Sequence, residues 1–239
     1  ELRLGDWVSS NLEPQQGAAY YHFNLAQATQ LYIDGLENAY ARWSLYGPKG
    51  VVREDVSLSD IQSALTGFVD AGEYYLSVSG ATGEYGFRVL DIAHAQPLVT
   101  GLVTKATLTT SREANVYRFD GVAGQTYYFD AQVNYHDYYA NLHWRLIGPD
   151  GKIVQQNNFN DLGRITLLQT GQYLLFVDGY IDNQRRGASS YQFIINPLNH
   201  QTPINLSADA PSEIADLVVE NLQVVNPEAL ELINGQVIT

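Results

Sequence analysis

The sequence predicts an all-β protein made of two tandem antiparallel β-sandwich domains. The first reason is an internal repeat, because Trp43–Gly50 returns as Trp144–Gly151 with the same Trp-x-Leu-x-Gly-Pro-x-Gly pattern. A repeat unit of about 100 residues is a complete small domain, whereas solenoid repeats run at roughly 20–50 residues. The second reason is period-two alternation of apolar residues between turns, with no long stretch of helical periodicity.

Further segments recur in the same order around this anchor. The pairs are Tyr21–Phe23 with Tyr117–Phe119, Tyr32–Asp34 with Tyr128–Asp130, Gly72–Val78 with Gly171–Val177, and Tyr85–Phe87 with Tyr191–Phe193. Two copies of one fold favour a modular binding or spacer protein over an enzyme with a single active site.

The alternating runs predict strands that are half buried against a core. Apolar residues occupy every second position at Tyr74, Leu76 and Val78, and the second copy repeats this at 173, 175 and 177. Glycine and proline at 47–50 and 148–151 predict tight turns between strands. Trp43 and Trp144 are predicted to fill the two cores. Many short strands joined by such turns are typical of an antiparallel sandwich.

We predict sandwich domains at residues 1–91 and 101–197, joined by a linker at 92–100. Residues 198–239 form a second linker followed by two strands, 215–225 and 232–238, which open a truncated third sandwich. Because unpaired strands are seldom stable alone, we expect this tail to pack on the second domain or to extend a sheet edge of a neighbouring chain.

Composition excludes several classes of partner. The net charge of −13 and the pI near 4.6 disfavour nucleic acid and anionic membrane surfaces. No stretch approaches the roughly 18 apolar residues of a membrane span, so membrane insertion is not expected. The absence of cysteine excludes disulfides and thiolate metal sites. A chain that begins at Glu1 and contains no methionine is expected to be a fragment of a larger exported protein.

These motifs resemble the bacterial pre-peptidase C-terminal (PPC) domain. The resemblance covers residues 5–91 and 101–197 and is carried by the Gly-Pro-x-Gly turn and the Gly-x-Tyr strand. It implies a jelly-roll-like β-sandwich, found beside secreted proteases and in tandem within large bacterial surface proteins and adhesins. The tail, with Asp216–Val219 and Asn234–Ile238, resembles the opening strands of the cell-adhesion-related (CARDB) Ig-like domain. An extracellular or cell-surface location is the implied setting, with neighbouring domains of the same polypeptide as partners.

Enzyme motifs are absent from the sequence. It contains no His-Glu-x-x-His, Gly-x-Ser-x-Gly or phosphate-binding P-loop pattern, and no dinucleotide-binding fingerprint after a predicted strand. We therefore expect a non-catalytic protein.

A tyrosine-rich loop in the second domain is the candidate ligand site. The second repeat has extra residues between Tyr128 and Trp144, and these include Asn134, Tyr135, His136, Asp137, Tyr138 and Tyr139. Aromatic faces stack on sugars or peptides, and the polar groups of this loop hydrogen-bond to hydroxyls. The alternative is that the tyrosines cover the end of the sandwich or the seam between the domains.

A calcium site is the only metal site that the sequence supports, and no cofactor is required. Calcium binds six to eight oxygen ligands. The oxygen-rich candidates are Asn157, Asp161, Asp178, Asp182 and Asn183. Some members of the resembled family bind calcium near the N-terminal linker, where this chain offers Glu13, Glu113 and Asn115.

Two functions of different class remain open at this point. The first is a structural module, a spacer or extender in a multidomain surface or adhesion protein. The second is a carbohydrate- or peptide-binding module that uses the loop at 134–139. An accessory domain of a secreted protease is a third, less favoured alternative.

Overall fold

The computed structural model describes residues 1–13, 17–38, 40–80, 82–109, 113–132, 142–179 and 188–198. Residues 1–199 form one compact unit that contains both repeats. The tail and its two predicted strands lie outside the described residues.

The first repeat folds into two four-stranded sheets. One sheet has the order β1-β8-β3-β6 and the other β2-β7-β4-β5, and all neighbours are antiparallel. The strands are β1 Val8–Leu12, β2 Ala18–Leu25, β3 Thr29–Glu37, β4 Arg42–Gly47, β5 Gly50–Ser57, β6 Leu65–Val69, β7 Gly72–Ser79 and β8 Gly83–Asp91.

The second repeat folds in the same way. Its sheets have the orders β10-β17-β12-β15 and β14-β13-β16-β11-β9. The strands are β9 Gln96–Pro97, β10 Thr104–Leu108, β11 Ala114–Gly121, β12 Thr126–Ala131, β13 His143–Ile147, β14 Ile153–Asn158, β15 Gly163–Thr166, β16 Gly171–Asp178 and β17 Ser189–Leu198. Apart from β9, each strand has a counterpart in the first repeat at the same place in the sheet.

This strand order confirms the predicted all-β sandwich fold. When the eight main strands are numbered from the start of each repeat, the two sheets have the orders 1-8-3-6 and 2-7-4-5 in both repeats. This is the arrangement of an eight-stranded jelly roll. The paired registers also repeat, because Trp43 lies opposite Val78 as Trp144 lies opposite Val177.

Each sandwich has its own aromatic core. Trp43 and Trp144 are fully buried at the centres of the two cores, as the sequence predicts. Trp144 packs edge-on against Phe129, with ring centroids 6.0 Å apart. Burial of the apolar core, these large rings included, is the main favourable contribution to folding of each sandwich.

The segment between the sandwiches is short and structured. It begins with a single 3-10 turn, Ile92–His94, which Asp91 caps by accepting the Ala93 N–H at 2.9 Å. Strand β9 then pairs in parallel with β11, so part of the predicted linker is an edge strand of the second sandwich. Among the described residues, no helix is long and apolar enough to span a membrane.

Candidate functional site

The outer faces of two sheets pack against each other where the sandwiches meet, and we call this contact the joint. One face belongs to β3, β6 and β8 of the first sandwich, and the other to β11, β13 and β16 of the second. Both faces contribute apolar side chains to one buried cluster: Tyr32, Ala64, Leu65, Leu90 and Ile92 from the first, and Ala114, Val116, Ile147, Leu174 and Phe176 from the second.

The joint is built from positions at which the second repeat departs from the first. Leu174 and Phe176 on β16 correspond to Tyr75 and Ser77 on β7. Strand β16 is therefore buried on both faces, whereas alternation alone predicts a half-buried strand. The continuous apolar run from Leu174 to Val177 is the sequence signal for this second buried face.

A buried ion pair of the second sandwich lies at one side of the joint and is hydrogen-bonded to the first sandwich. Arg145 is 2% exposed and donates from Nη2 to Asp178 Oδ2 at 2.9 Å. Its Nη1 donates to the backbone oxygen of Ile61 in the first sandwich. The guanidinium also lies over the ring of Phe176, 4.9 Å from the centroid. Burial raises the pKa of Asp178, and Arg145 partly offsets this effect.

A second ion pair, formed within the first sandwich, lies at the other side of the joint and is bonded to the second sandwich. Asp34 is 2% exposed and accepts hydrogen bonds from Arg88 Nε at 2.8 Å and from the Ala114 N–H at 3.0 Å. Arg88 donates in turn to the Ala114 oxygen at 2.6 Å and lies 3.9 Å from Glu113. Ala114 and Glu113 belong to the second sandwich, so this network joins the two sandwiches through backbone and side chain.

Burial opposes ionisation of Asp34. Loss of hydration raises its pKa to about 7, although Arg88 and the Ala114 N–H favour the charged carboxylate. The negative charge of Asp178, at the end of β16 in the second sandwich, also raises the pKa of Asp34.

The outer face of β2, β7 and β4 carries exposed tyrosines, and we call it the tyrosine face. Tyr20 is 75% exposed and Tyr75 is 52% exposed, and Tyr46 lies beside Tyr75 across the β4–β7 pair. His22 pairs with Glu73 and packs against the Tyr75 ring, 4.9 Å between centroids. This face is the counterpart in the first sandwich of the face that the second sandwich buries in the joint. Alternation in β2 and β7 predicts these outward positions.

The predicted ligand loop lies outside the described residues. Asn134, Tyr135, His136, Asp137, Tyr138 and Tyr139 all belong to it, so their role stays a prediction. Asp182 and Asn183 of the predicted calcium ligands also lie outside the described part.

Each of the three described calcium candidates already has a hydrogen-bond partner in the protein. Asp178 is engaged by Arg145, and Asp161 accepts hydrogen bonds from the Ala131 N–H at 2.9 Å and Tyr128 Oη at 3.1 Å. Asn157 accepts from the Asn158 N–H. Within the described ranges, no group of three or more His, Asp or Glu side chains is placed to hold a metal ion. A cation at Asp178 would have to displace Arg145, so these three residues do not fit a calcium site together.

Comparisons with solved structures give distant similarities. The chain is similar to PliG, a periplasmic inhibitor of g-type lysozyme from Aeromonas hydrophila (15% identity, TM-score 0.37, 44% of this chain and 96% of that chain). It is similar to the pre-peptidase C-terminal domain of a collagenase from Bacillus anthracis (18% identity, TM-score 0.36, 43% and 95%). A putative secreted protein from Eubacterium rectale is also similar (11% identity, TM-score 0.26, 80% and 74%). No protein-family model and no curated protein matches the chain.

Proposed function

We propose that this chain is a non-catalytic extracellular module that acts as a rigid spacer in a multidomain bacterial surface or adhesion protein. The joint is the observation that supports this proposal. A flexible linker would leave the two sandwiches free to rotate, whereas a buried apolar cluster flanked by two ion-pair networks fixes one orientation.

The chemistry of the joint favours a fixed angle over simple adhesion between the sandwiches. Apolar burial is non-directional. In contrast, Arg145 and Asp34 each form a hydrogen bond with a group of the other sandwich, the Ile61 oxygen and the Ala114 N–H respectively. A different orientation would break the bond from Arg145 to the Ile61 oxygen and the bond from the Ala114 N–H to Asp34, and each buried group left without its partner would cost about 1–3 kcal/mol. The hydrogen bonds that these buried charges make across the joint therefore select one orientation among those that the apolar cluster would permit.

Nuclear spin relaxation of the full chain tests this proposal. We expect backbone amides in β7 and in β16 to report one common rotational correlation time, because a rigid pair tumbles as one body. The double variant Leu174→Tyr/Phe176→Ser places the first repeat's residues in the joint and is expected to shorten the correlation time of each sandwich. Leu168→Ser, at an 88% exposed position, is the matched control and should leave it unchanged. Independent tumbling of the unaltered sandwiches would contradict a spacer role.

A second candidate function is carbohydrate or peptide binding, and the tyrosine face favours it. Exposed aromatic side chains on a sheet offer stacking surface that a spacer does not need. An array of glycans and peptides probed with the full chain tests this function, with and without a calcium chelator. Loss of binding in Tyr20→Ala/Tyr75→Ala places the ligand on this face, and loss in the triple alanine variant of Tyr135, Tyr138 and Tyr139 places it on the predicted loop. A blank array contradicts both.

A further inference from the structure

A groove of about 430 Å³ runs along one side of the joint, and we call it the seam groove. Residues 59–62 of the first sandwich form one wall, and parts of β13, β14 and the end of β16 form the other. This volume lies in the range of small-molecule binding sites in proteins. The groove exists only because the joint holds the two walls together.

Side-chain amides dominate the accessible lining of the seam groove. Gln62 lies on the first wall, and Gln156, Asn157 and Asn158 lie on the second, all of them exposed. Within the described residues, the amides of Gln62, Gln156 and Asn158 have no hydrogen-bond partner in the protein. Each offers two donors and an acceptor to a ligand without a structural bond being broken.

The charges in the groove disfavour anions and metal ions as ligands. The guanidinium of Arg145 in the wall is neutralised by Asp178 and also donates to the oxygen of Ile61. The carboxylate of Asp60 accepts the N–H groups of Gln62 and Ser63, and its negative charge repels anions. A metal ion is disfavoured as well, because the described residues hold no cluster of three ligating side chains.

We propose that the seam groove binds a neutral, hydroxyl-rich ligand, a short segment of an uncharged oligosaccharide, through the amides of Gln62, Gln156 and Asn158. Sugar hydroxyls both donate and accept, which matches the two-way capacity of amides. Ile61 adds partly buried apolar surface against which the C–H face of a sugar ring packs. This site is separate from the tyrosine face, which lies on the first sandwich alone.

Binding in the seam groove is coupled to the joint. A ligand that contacts Gln62 on one sandwich and Gln156 on the other binds only the joined arrangement. It therefore stabilises that arrangement by mass action, and the melting temperature rises with ligand concentration.

Calorimetric titration of the full chain with four neutral hexaoses (cellohexaose, chitohexaose, maltohexaose and mannohexaose) tests the proposal. We expect at least one to bind and to raise the melting temperature. Gln156→Ala/Asn158→Ala is expected to weaken that binding about tenfold, and Gln62→Ala to weaken it severalfold, because hydrogen bonds to the ligand are lost. Gln155→Ala is the matched control, since Gln155 is the neighbouring residue of the same type on β14 and does not line the groove.

Several outcomes would overturn the proposal. One is a failure of all four hexaoses to bind at millimolar concentration. Another is equal weakening by Gln155→Ala and by the double groove variant. A third is binding that is lost in Tyr20→Ala/Tyr75→Ala and retained in the groove variants, which would assign the sugar to the tyrosine face. Unchanged melting temperatures of the unliganded variants verify that each remains folded.

Discussion

Tyr74 and Tyr173 illustrate why one residue type recurs in both repeats. Each ring is buried in the core, and each hydroxyl donates to the backbone oxygen four residues earlier, at 2.7 Å to Asp70 and 2.8 Å to Gln169. The bond ties the start of a strand to the preceding turn, as a tyrosine corner does in other sandwiches. The Gly-x-Tyr motif is therefore explained by local structure.

Removal of either hydroxyl tests this explanation. Tyr74→Phe and Tyr173→Phe are each expected to lower the free energy of unfolding by about 1 kcal/mol, because the hydrogen bond from the tyrosine hydroxyl to the backbone oxygen is lost. Urea unfolding measures the change. Tyr20→Phe, at an exposed position, should stay within about 0.5 kcal/mol of the unaltered protein. Equal effects at positions 20 and 74 would refute a structural role for the bond.

Asp34 makes the stability of the joint depend on pH. Its folded-state pKa of about 7 lies above the unfolded value near 4, so the folded state binds the proton more tightly. The stabilisation from Asp34 is fully present below about pH 4 and is lost as the pH rises to about 7. The buried Asp178, whose pKa is also raised, acts in the same direction.

Comparison with Asp34→Asn isolates this effect. The free energy of unfolding of the unaltered protein is expected to fall relative to that of Asp34→Asn between about pH 4 and pH 7, and then to level off. Urea unfolding at four pH values across this range provides the measurement. If the free energy of unfolding does not fall relative to that of the variant over this range, Arg88 and the Ala114 N–H hold the pKa of Asp34 at or below its unfolded value.

Two glycines at the starts of β7 and β16 pack against the prolines of the Gly-Pro-x-Gly turns. Gly72 begins β7 with a φ of 136°, and a Cβ there would lie 2.6 Å from Pro48 Cγ. Gly171 begins β16 in the same way, with Pro149 at 2.8 Å. The Gly-Pro-x-Gly turn and the glycine before Tyr74 or Tyr173 are therefore one packing unit, which accounts for their joint recurrence.

Alanine at these strand starts is expected to be destabilising. Gly72→Ala should cost roughly 1–3 kcal/mol of unfolding free energy, through both the positive φ and the clash with Pro48. Gly67→Ala is the control, because Gly67 lies in β6 with open space around its Cα and an ordinary φ. Thermal unfolding distinguishes the two, and equal melting temperatures would argue against the packing unit.

Strands β7 and β16 show how far the sequence predicts the fold. The alternation of Tyr74, Leu76 and Val78 predicts the strand and its inward face, and the recurrence in β16 predicts the second sandwich. The joint was not predicted, because alternation describes one buried face and says nothing about a partner for the other. Only the continuous apolar run from Leu174 to Val177 signals the second contact, and such a run does not identify what covers it.

The candidate sites were predictable to different degrees. The outward positions of Tyr20 and Tyr75 follow from period-two alternation in β2 and β7. The seam groove was beyond prediction because Gln62 and Gln156 belong to different sandwiches and meet only through the joint. The sequence alone also could not show that Asp178 pairs with Arg145, because Arg145 is 33 residues away in the chain.

The joint connects the two similar sandwiches into one compact unit. The first sandwich contributes the outer face of its β1-β8-β3-β6 sheet, and the second contributes the outer face of the sheet that contains β16. These faces are different, so the contact is heterologous. A heterologous contact between successive modules extends a chain in one direction, which is what the proposed spacer function requires.

Pulsed electron–electron resonance between the two sandwiches is the most direct test of this rigid joint. The chain has no cysteine, so Val51→Cys on β5 and Lys105→Cys on β10 give two unique labelling sites, both exposed. The joint predicts one narrow distance distribution in the otherwise unaltered protein. Adding Leu174→Tyr/Phe176→Ser, which removes roughly 3 kcal/mol of apolar burial, is expected to broaden it. A broad distance distribution in the protein with an unaltered joint would contradict a rigid joint.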